Sequence, residues 1–449
     1  MRVTITSGLI ALGTSLALAG CTSLTGDKLI DNPNRPTVAT AATLLGAAQP
    51  NLYLYLEGHG GRVVCIWVQQ CAGTSKQYQV LGNYSVGANE WTGTWAGTYG
   101  KGGLIDLRKL QSLALASGDS ATAGIGAILE AWLVGTTADL FGDIPYRDAA
   151  AGDATPTFDP QQQVYADLQQ KLDDAIVDLS STDPLSTGPG DVDLVYGGDP
   201  TKWIELAYTL KARLFLHTAE VVGAAAYGSA LTAAQNGISS PANDYNAYHS
   251  LVQSENNLWY QFTGAWVDYL SAGQALVDLM SARSDPRLPD YFNLNVNDEY
   301  RGAIPGDVFV DTISTLSDAR LAPDFQQPLV TWAENQLIIA EAAYRTGDEP
   351  TAQSALVAVR TNAGVTNPDY SGSPPTGAGL LSEIMLEKYI ALFQSPESWN
   401  DYKRTCLPAL VPANAISLPG RYKYPTDESD NNPNTPADPQ RNWNDPSPC

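Results

Sequence analysis

The chain reads Thr-Ala-Asp-Leu-Phe-Gly-Asp-Ile-Pro-Tyr over residues 137–146, where an apolar segment runs into a tight turn. Over residues 124–140 the apolar side chains recur at helical spacing, and small residues between them allow a second helix to approach closely. A glycine and a proline then interrupt the helix. Asp139 and Asp143 are typical of capping and turn hydrogen bonds. The stretch therefore predicts a deeply packed helix that ends in a turn.

Several other segments have the same helical period. Two begin with an Asp-Pro pair, in which aspartate can cap the free amides and proline fits the first turn. Another two are joined by a Gly-Asp turn into a hairpin that resembles one tetratricopeptide unit. No stretch of similar length alternates as a strand does, so we predict a mainly α fold of tetratricopeptide-like helical hairpins. The predicted helices start at Asp159-Pro160 and Asp199-Pro200 or span 329–345, 351–360 and 380–394.

Long stretches rich in Gly, Pro, Asn and Tyr separate the predicted helices. Irregular loops of this length are uncommon in a compact body unless they carry function or are disordered. A helical scaffold that presents long irregular loops for binding is therefore predicted, and no linker divides it. These stretches cover residues 180–198, 236–266, 283–317 and 422–449.

The first twenty residues have the pattern of an export signal. Arg2 precedes a short apolar stretch without acidic residues, which is too short to cross a hydrocarbon core of about 30 Å. It ends at Leu-Ala-Gly-Cys, which looks like a bacterial lipobox and predicts acylation of Cys21 and a membrane anchor without a spanning helix. The alternative is an ordinary cleaved signal, after which Cys21 pairs with another cysteine. The predicted organisation is a signal peptide at 1–20, a lipidated tether at 21–39 and a single domain at 40–449.

The chain is strongly acidic, with 48 acidic against 25 basic side chains and a formal net charge of −23. Such a charge repels a phosphate backbone, so no nucleic-acid partner is predicted. Neutral or cationic ligands are favoured. After Cys21 no apolar run approaches membrane-spanning length, and we expect this part of the chain to lie in water.

Four cysteines remain after Cys21, and an exported protein lives where disulfides persist. Four cysteines allow three pairings. We favour Cys65 with Cys71, which are close in sequence, and Cys406 with Cys449, which would tie down a polar C-terminal tail. Free thiols buried as small apolar groups are the alternative.

Aromatic side chains near polar residues are the candidate ligand contacts. An aromatic ring stacks on the apolar face of a sugar, while neighbouring Asn, Gln or Asp side chains bond its hydroxyls. Packing in the core is the alternative for each candidate. Trp91, Trp95 and Tyr99 recur at helical spacing and are predicted to be core. The candidates for ligand binding are Trp67, Tyr78, Trp259, Tyr260 and Trp266.

The sequence contains no HExxH metal motif, no G-x-S-x-G nucleophile elbow and no phosphate-binding loop. His59, His217 and His249 are scattered outside any metal-ligand spacing, and His217 is predicted to be a core histidine on an apolar helix face. Residues 58–61, Gly-His-Gly-Gly, predict a flexible turn. We therefore predict no enzyme activity, no metal and no cofactor. A glycoside hydrolase, which needs two carboxylates flanking a cleft, is the enzymatic alternative.

Six stretches, taken in order, resemble the SusD/RagB family of outer-membrane lipoproteins from glycan- and peptide-uptake systems. The order of the stretches, together with the lipobox, is more specific than any one of them. They are residues 137–146, 156–159, 284–292, 334–347, 388–405 and 419–425.

The resemblance implies a SusD-like fold that sits as a lid over a SusC-like TonB-dependent β-barrel transporter in the outer membrane, facing the cell surface. It implies a nutrient ligand, an oligo- or polysaccharide before a peptide, and no catalysis. Residues 58–100 are Gly-rich and depart from the family's pattern. Family members bind ligands through the loops that differ most between them, so the resemblance does not give the position of the ligand site. A tetratricopeptide-like scaffold without a small ligand is the other alternative.

Overall fold

The computed structural model describes residues 39–449 apart from 101, 150, 151, 153, 373, 414–416, 440 and 448. Cys21, the signal peptide and the tether lie outside the described residues, so the lipid anchor and the division of the chain at residue 40 stay predictions. Helices dominate the described part, which confirms the predicted mainly α fold.

Helices and strands are labelled in chain order. Two antiparallel sheets of two strands each pair β1 with β3 and β2 with β4. The strands are β1 (Cys71–Gly73), β2 (Tyr245–Ala247), β3 (Leu270–Ala272) and β4 (Gln327–Val330). The helices are α1 (Ala41–Glu57), α2 (His59–Trp67), α3 (Lys76–Gly82), α4 (Thr92–Tyr99), α5 (Leu104–Ala116), α6 (Ser120–Phe141), α7 (Gln161–Leu179), α8 (Pro200–His217), α9 (Ala219–Val222), α10 (Ala224–Ala234), α11 (Leu258–Ala265), α12 (Gln274–Arg283), α13 (Leu288–Tyr291), α14 (Trp332–Thr346), α15 (Glu349–Asn362), α16 (Pro368–Ser371), α17 (Ala378–Ala391), α18 (Glu397–Thr405) and α19 (Thr426–Asn431).

The long helices form a continuous packed series. Helix α1 packs on α5, α5 on α6, α6 on α7, α7 on α8, α8 on α10 and α10 on α14, and α14 contacts both α15 and α17. Helices α14 and α15 are the hairpin predicted from the Gly-Asp turn. Gly347 ends α14 with a φ of 90°, a conformation that glycine adopts without strain. The series gives the fold its tetratricopeptide-like character.

Helix α6 lies at the centre of this series, as its apolar period predicts. All its residues from Ala121 to Phe141 are buried. A Cβ at Gly126 would lie 2.4 Å from Leu110 Cδ2, so glycine lets α5 pack closely here without a shift of that leucine. The helix is long and apolar enough to span a membrane, but it is buried entirely inside the protein, as the core helix of a globular body is.

Carboxylates hold the turn that follows α6. Asp143 Oδ1 accepts a hydrogen bond of 2.8 Å from the backbone amide of Gln161, the first residue of α7. Asp159 was expected to cap this helix, but its Oδ2 accepts from the amides of residues 146 and 147, because Asp143 already reaches the helix start. The capping prediction is therefore wrong at Asp159. At Asp199 it is confirmed, since that side chain accepts from the start of α8.

The predicted loop over residues 236–266 contains helix α11 and strand β2. Asn257 explains the helix, because its side-chain oxygen accepts from the amides of Trp259 and Tyr260 at 2.9 and 3.1 Å. This N-cap stabilises the first turn of α11, although the polar composition of the segment predicts a loop. Two other predicted loops contain the short helices α13 and α19.

Two disulfides join Cys65 to Cys71 and Cys406 to Cys449, which is the pairing that the sequence favours. The first links the end of α2 to β1. The second fastens the last residue of the chain to the end of α18. The tail is thereby held against the core, where Asn444 is buried.

Replacing Cys406 and Cys449 together by alanine is expected to lower the free energy of unfolding by about 2–4 kcal/mol, because the bond spans a sequence separation of 43 residues. Urea denaturation of both chains measures the difference. The single change Cys406→Ala also breaks the bond and should give a similar loss. Equal stability of the double variant and the unmodified chain would show that the link does not constrain the unfolded chain.

Candidate ligand-binding site

A concave site of about 460 Å³ opens between α1, α2, α4 and α11. This size falls within the range of about 300–1,000 Å³ that is usual for small-molecule sites. We call it the glycine pocket, because four glycines contribute to its wall. It is lined by Asn51, Leu54, Tyr55, Gly58, His59, Gly60, Arg62, Glu90, Gly93, Thr94, Gly97, Leu258, Gln261 and Phe262.

The glycines fall into two kinds. Gly58 joins α1 to α2, and a Cβ there would lie 2.1 Å from the carbonyl oxygen of Leu54, so the sharp joint requires glycine. Since α2 begins at His59, the flexible turn predicted for residues 58–61 is wrong. Gly93 is different: apart from its chain neighbours and its own helix backbone, no described atom lies within 4 Å of a Cβ placed there. That Cβ would point into open space on the wall of the pocket.

Polar and charged groups form one connected set at the pocket. His59 Nε2 lies 2.6 Å from Glu90 Oε1, and its Nδ1 lies 3.2 Å from the hydroxyl of Tyr78. Arg62 Nε donates to the same hydroxyl at 3.1 Å, and its guanidinium lies 4.2 Å from the ring centre of Phe262. Burial lowers the pKa of His59, although Glu90 acts in the opposite direction. The imidazole is therefore neutral at pH 7.

A cluster of buried aromatic rings packs behind the wall of the pocket. Trp91 and Tyr422 are stacked, with ring centres 3.6 Å apart and planes 5° apart, and the Tyr422 hydroxyl donates to the carbonyl of Gly60 at 2.9 Å. Trp67 packs edge-on against Trp91, Trp399 and Tyr422. Trp91 is thus core, as its spacing predicts. Trp67, predicted as a ligand contact, has its side chain buried in this cluster, and that prediction is corrected.

The other predicted ligand contacts lie close to the pocket but do not line it. Trp259 is fully buried, because α11 turns it toward the core, so it is not a ligand contact in this structure. Tyr78 is buried too, and reaches the pocket only through its hydroxyl bonds to His59 and Arg62. Tyr260 and Trp266 are exposed beside the pocket, by 38% and 48%. Helix α11 instead contributes Leu258, Gln261 and Phe262 to the lining.

The pocket residues that sequence reasoning missed are mainly glycines and their neighbours. Gly93 and Gly97 lie one helical turn apart on α4 and both line the pocket. Gly93 faces open space, whereas a Cβ at Gly97 would lie 3.2 Å from Tyr55 Cδ2. This pair of glycines is the signal in the sequence that points to the pocket wall on α4. Nothing in the sequence shows that α1 and α11 close the other sides.

A second polar cluster is buried between α6, α8 and α18, away from the pocket. His217 Nδ1 lies 2.8 Å from Asp139 Oδ1, and its Nε2 lies 2.7 Å from Glu397 Oε2. The three groups are close enough to suggest a metal site. However, the two ring nitrogens of His217 point in different directions, each toward its own carboxylate. One metal ion cannot be coordinated by both ring nitrogens.

The His217 cluster is an internal ion pair. Burial opposes the charged imidazolium, but attraction to Asp139 and Glu397 outweighs it and raises the pKa of His217 to about 9. The prediction of a core histidine agrees with this arrangement. Asp139, which was predicted to make capping or turn bonds, instead accepts from the hydroxyl of Tyr165 at 2.5 Å and pairs with His217. That prediction is wrong because α8 brings His217 against the end of α6.

Comparison with known proteins agrees with this fold. Residues 33–425 match the SusD-like family model described as "Starch-binding associating with outer membrane". The chain belongs to the SusD-like family. The resemblance read from the six stretches is thereby confirmed. Members of the SusD-like family are binding proteins of the outer membrane rather than enzymes.

Solved structures share the SusD-like fold at low sequence identity. A chitin-binding protein has a TM-score of 0.79 at 21% identity, over 91% of this chain and 100% of that one. A chitin-binding SusD homolog from Flavobacterium johnsoniae has a TM-score of 0.74 at 21% identity, over 90% and 97% of the two chains. A SusD/RagB family protein from Bacteroides thetaiotaomicron has a TM-score of 0.73 at 21% identity, over 88% and 95%. No curated protein matches the chain.

Proposed function

We propose that this SusD-like protein captures an oligosaccharide in the glycine pocket and hands it to a SusC-like TonB-dependent β-barrel transporter. Acylated Cys21 would hold it on the cell-surface face of the outer membrane. Family membership supports this proposal, because the family description names starch binding and the outer membrane. Two of the similar structures are chitin-binding proteins, which makes a neutral polysaccharide the first ligand class to test.

The chemistry of the glycine pocket carries the proposal. Phe262 and Leu54 offer apolar surface, which suits the apolar face of a sugar ring. Gln261 and Asn51 offer amide groups that can bond hydroxyls. The bare backbone at Gly93 leaves room for a ring to approach the helix closely. Apolar surface beside a few polar groups is the usual make-up of a saccharide site.

The same lining argues against hydrolysis. Glycoside hydrolysis uses two carboxylates that flank the bond to be broken. Among the described residues that line the pocket, Glu90 is the one carboxylate, and it is already paired with His59. Binding without turnover is the function that this arrangement favours.

The change Gly93→Leu is expected to weaken oligosaccharide binding at least about tenfold, which corresponds to about 1.4 kcal/mol of binding free energy. The leucine side chain would occupy the space that the pocket offers to a ligand. Isothermal calorimetry of the chain carrying Cys21→Ala, with soluble chito-oligosaccharides, malto-oligosaccharides and peptides, measures the affinities. Chromatography of each mixture tests for cleavage.

Gly228→Leu is the matched control, because Gly228 also lies within a helix, has open space at its Cβ and lies outside the glycine pocket. Both variants should be at least as stable as the unmodified chain, since replacing a helical glycine gains up to about 1 kcal/mol of stability. Saccharide binding that survives Gly93→Leu would place the site elsewhere. Binding of peptides alone, cleavage of a saccharide, or no binding at all would each contradict the proposed function.

A further inference from the structure

A second concavity of about 410 Å³ opens beside the glycine pocket, on the other side of α1. Gly46, Pro50 and Tyr53 of α1 form one wall, and Tyr248 and Asn256 lie on the facing wall. We call it the tyrosine pocket. Trp67, Tyr78, Trp259, Tyr260 and Trp266 do not line it.

The two pockets are neighbours along α1. Leu54 and Leu258 line both of them, so these two side chains form a low ridge between the pockets. Leu54 is 59% exposed, which leaves an apolar surface uncovered at the top of that ridge. From Gly46 to Gly58 the helix rises about 18 Å at 1.5 Å per residue. That length is several times the width of one sugar ring.

We propose that the tyrosine pocket is a second subsite, and that the ligand is a neutral oligosaccharide long enough to cross the Leu54–Leu258 ridge and occupy both pockets. This inference rests on the proposed function of the glycine pocket. It adds a minimum ligand length and a second set of contacts.

The chemistry of the tyrosine pocket matches that ligand. The ring of Tyr248 is 41% exposed and offers a stacking surface. Ser254 and Glu255 are exposed at the rim and can accept or donate to sugar hydroxyls. Glu255 and the net charge of −23 disfavour an anionic sugar. The chitin-binding proteins of the same fold then favour a neutral over a cationic oligosaccharide as the first class to test.

The wall that carries Tyr248 is fixed in place before any ligand arrives. On one side of Tyr248, strand β2 pairs with β4. On the other side, His249 Nε2 lies 3.1 Å from both carboxylate oxygens of Glu57, which is buried at the end of α1. The Glu57 carbonyl in turn accepts from Arg62 at 3.0 Å, and Arg62 lines the glycine pocket. One chain of contacts, buried at His249 and Glu57 and partly exposed at Arg62, thus connects the walls of both pockets, and preorganised walls favour binding.

The structure offers a matched pair of variants, because each pocket has one helical glycine with open space at its Cβ. Gly46→Leu fills the tyrosine pocket and Gly93→Leu fills the glycine pocket. For the chain carrying Cys21→Ala, calorimetry with chito-oligosaccharides and malto-oligosaccharides of increasing length should show affinity rising about tenfold once the oligomer spans the ridge, as linked subsites predict. Gly46→Leu should bind the shortest oligomer normally and lose this rise, while Gly228→Leu should keep it.

The outcomes separate the second subsite from the proposed function. Binding with an affinity independent of length, or a Gly46→Leu variant that keeps the full rise, would overturn the subsite and leave the glycine pocket intact. A Gly46→Leu variant weakened equally for every length would also overturn it, because the damage would then not be confined to the second pocket. No binding of either oligomer series to the unmodified chain would overturn both proposals.

Discussion

Replacing His217 by leucine is expected to lower the free energy of unfolding by about 3–5 kcal/mol at pH 7, because a buried ion pair is broken from one side. The imidazolium of His217 forms ion pairs with both Asp139 and Glu397, and all three side chains are buried. Without it, both carboxylates face a low-dielectric interior with fewer positive partners. Urea denaturation of the two chains measures the difference.

The pH dependence of this difference separates charge from packing. The pKa of His217 is raised from 6.5 to about 9 in the folded protein, so its stabilising contribution is fully present below pH 6.5. The contribution is lost as the pH rises from 6.5 through about 9. The stability difference between the unmodified chain and His217→Leu should therefore shrink over this range. A difference that stays constant would show that the histidine acts by packing alone.

The helical part of the fold was predictable because its information is local and repeated. Helix α6 and the α14–α15 hairpin each carry several turns of apolar period, which predicts a packed helix, although α6 is buried on every face and not on one alone. Residues 137–146 contain the end of α6 and the turn that follows it. Because α6 is the central helix of the packed series, this short stretch is informative about the whole helical fold. Cysteine spacing also favoured the pairing that is present.

The candidate site was far less predictable, because it exists only where distant segments meet. Helix α11 came from a stretch predicted to be loop, and its start depends on one side chain, Asn257. Within that helix Trp259 faces inward while Phe262 faces the pocket, and nothing in the composition tells the two apart. Asp139 was misread for the same reason, since His217 reaches it from another helix.

Aromatic content therefore led to Trp67 and Trp259, which are buried, while Tyr260 and Trp266 are exposed and stay predictions as ligand contacts. The most conspicuous rings, Trp67 and Trp259, are large enough to form core, and burial is the lowest free-energy place for them. What the pocket presents to a ligand is the space that glycines leave and the moderate side chains around it. Glycines one turn apart on a helix, such as Gly93 and Gly97, are a better guide to this pocket than tryptophans are.

Trp67→Ala is expected to lower the free energy of unfolding by about 3–5 kcal/mol, the usual cost of removing a buried tryptophan. Trp67 is 1% exposed, packs against Trp91 and Tyr422, and donates its ring N–H to the carbonyl of Leu81 at 3.1 Å. Trp266→Ala is the matched control, because that ring is half exposed and its loss should change stability by less than about 0.5 kcal/mol. Thermal and urea unfolding measure both variants. If Trp67→Ala instead left stability unchanged and removed saccharide binding, the tryptophan would be a ligand contact after all, and the aromatic cluster would have to open to admit the ligand.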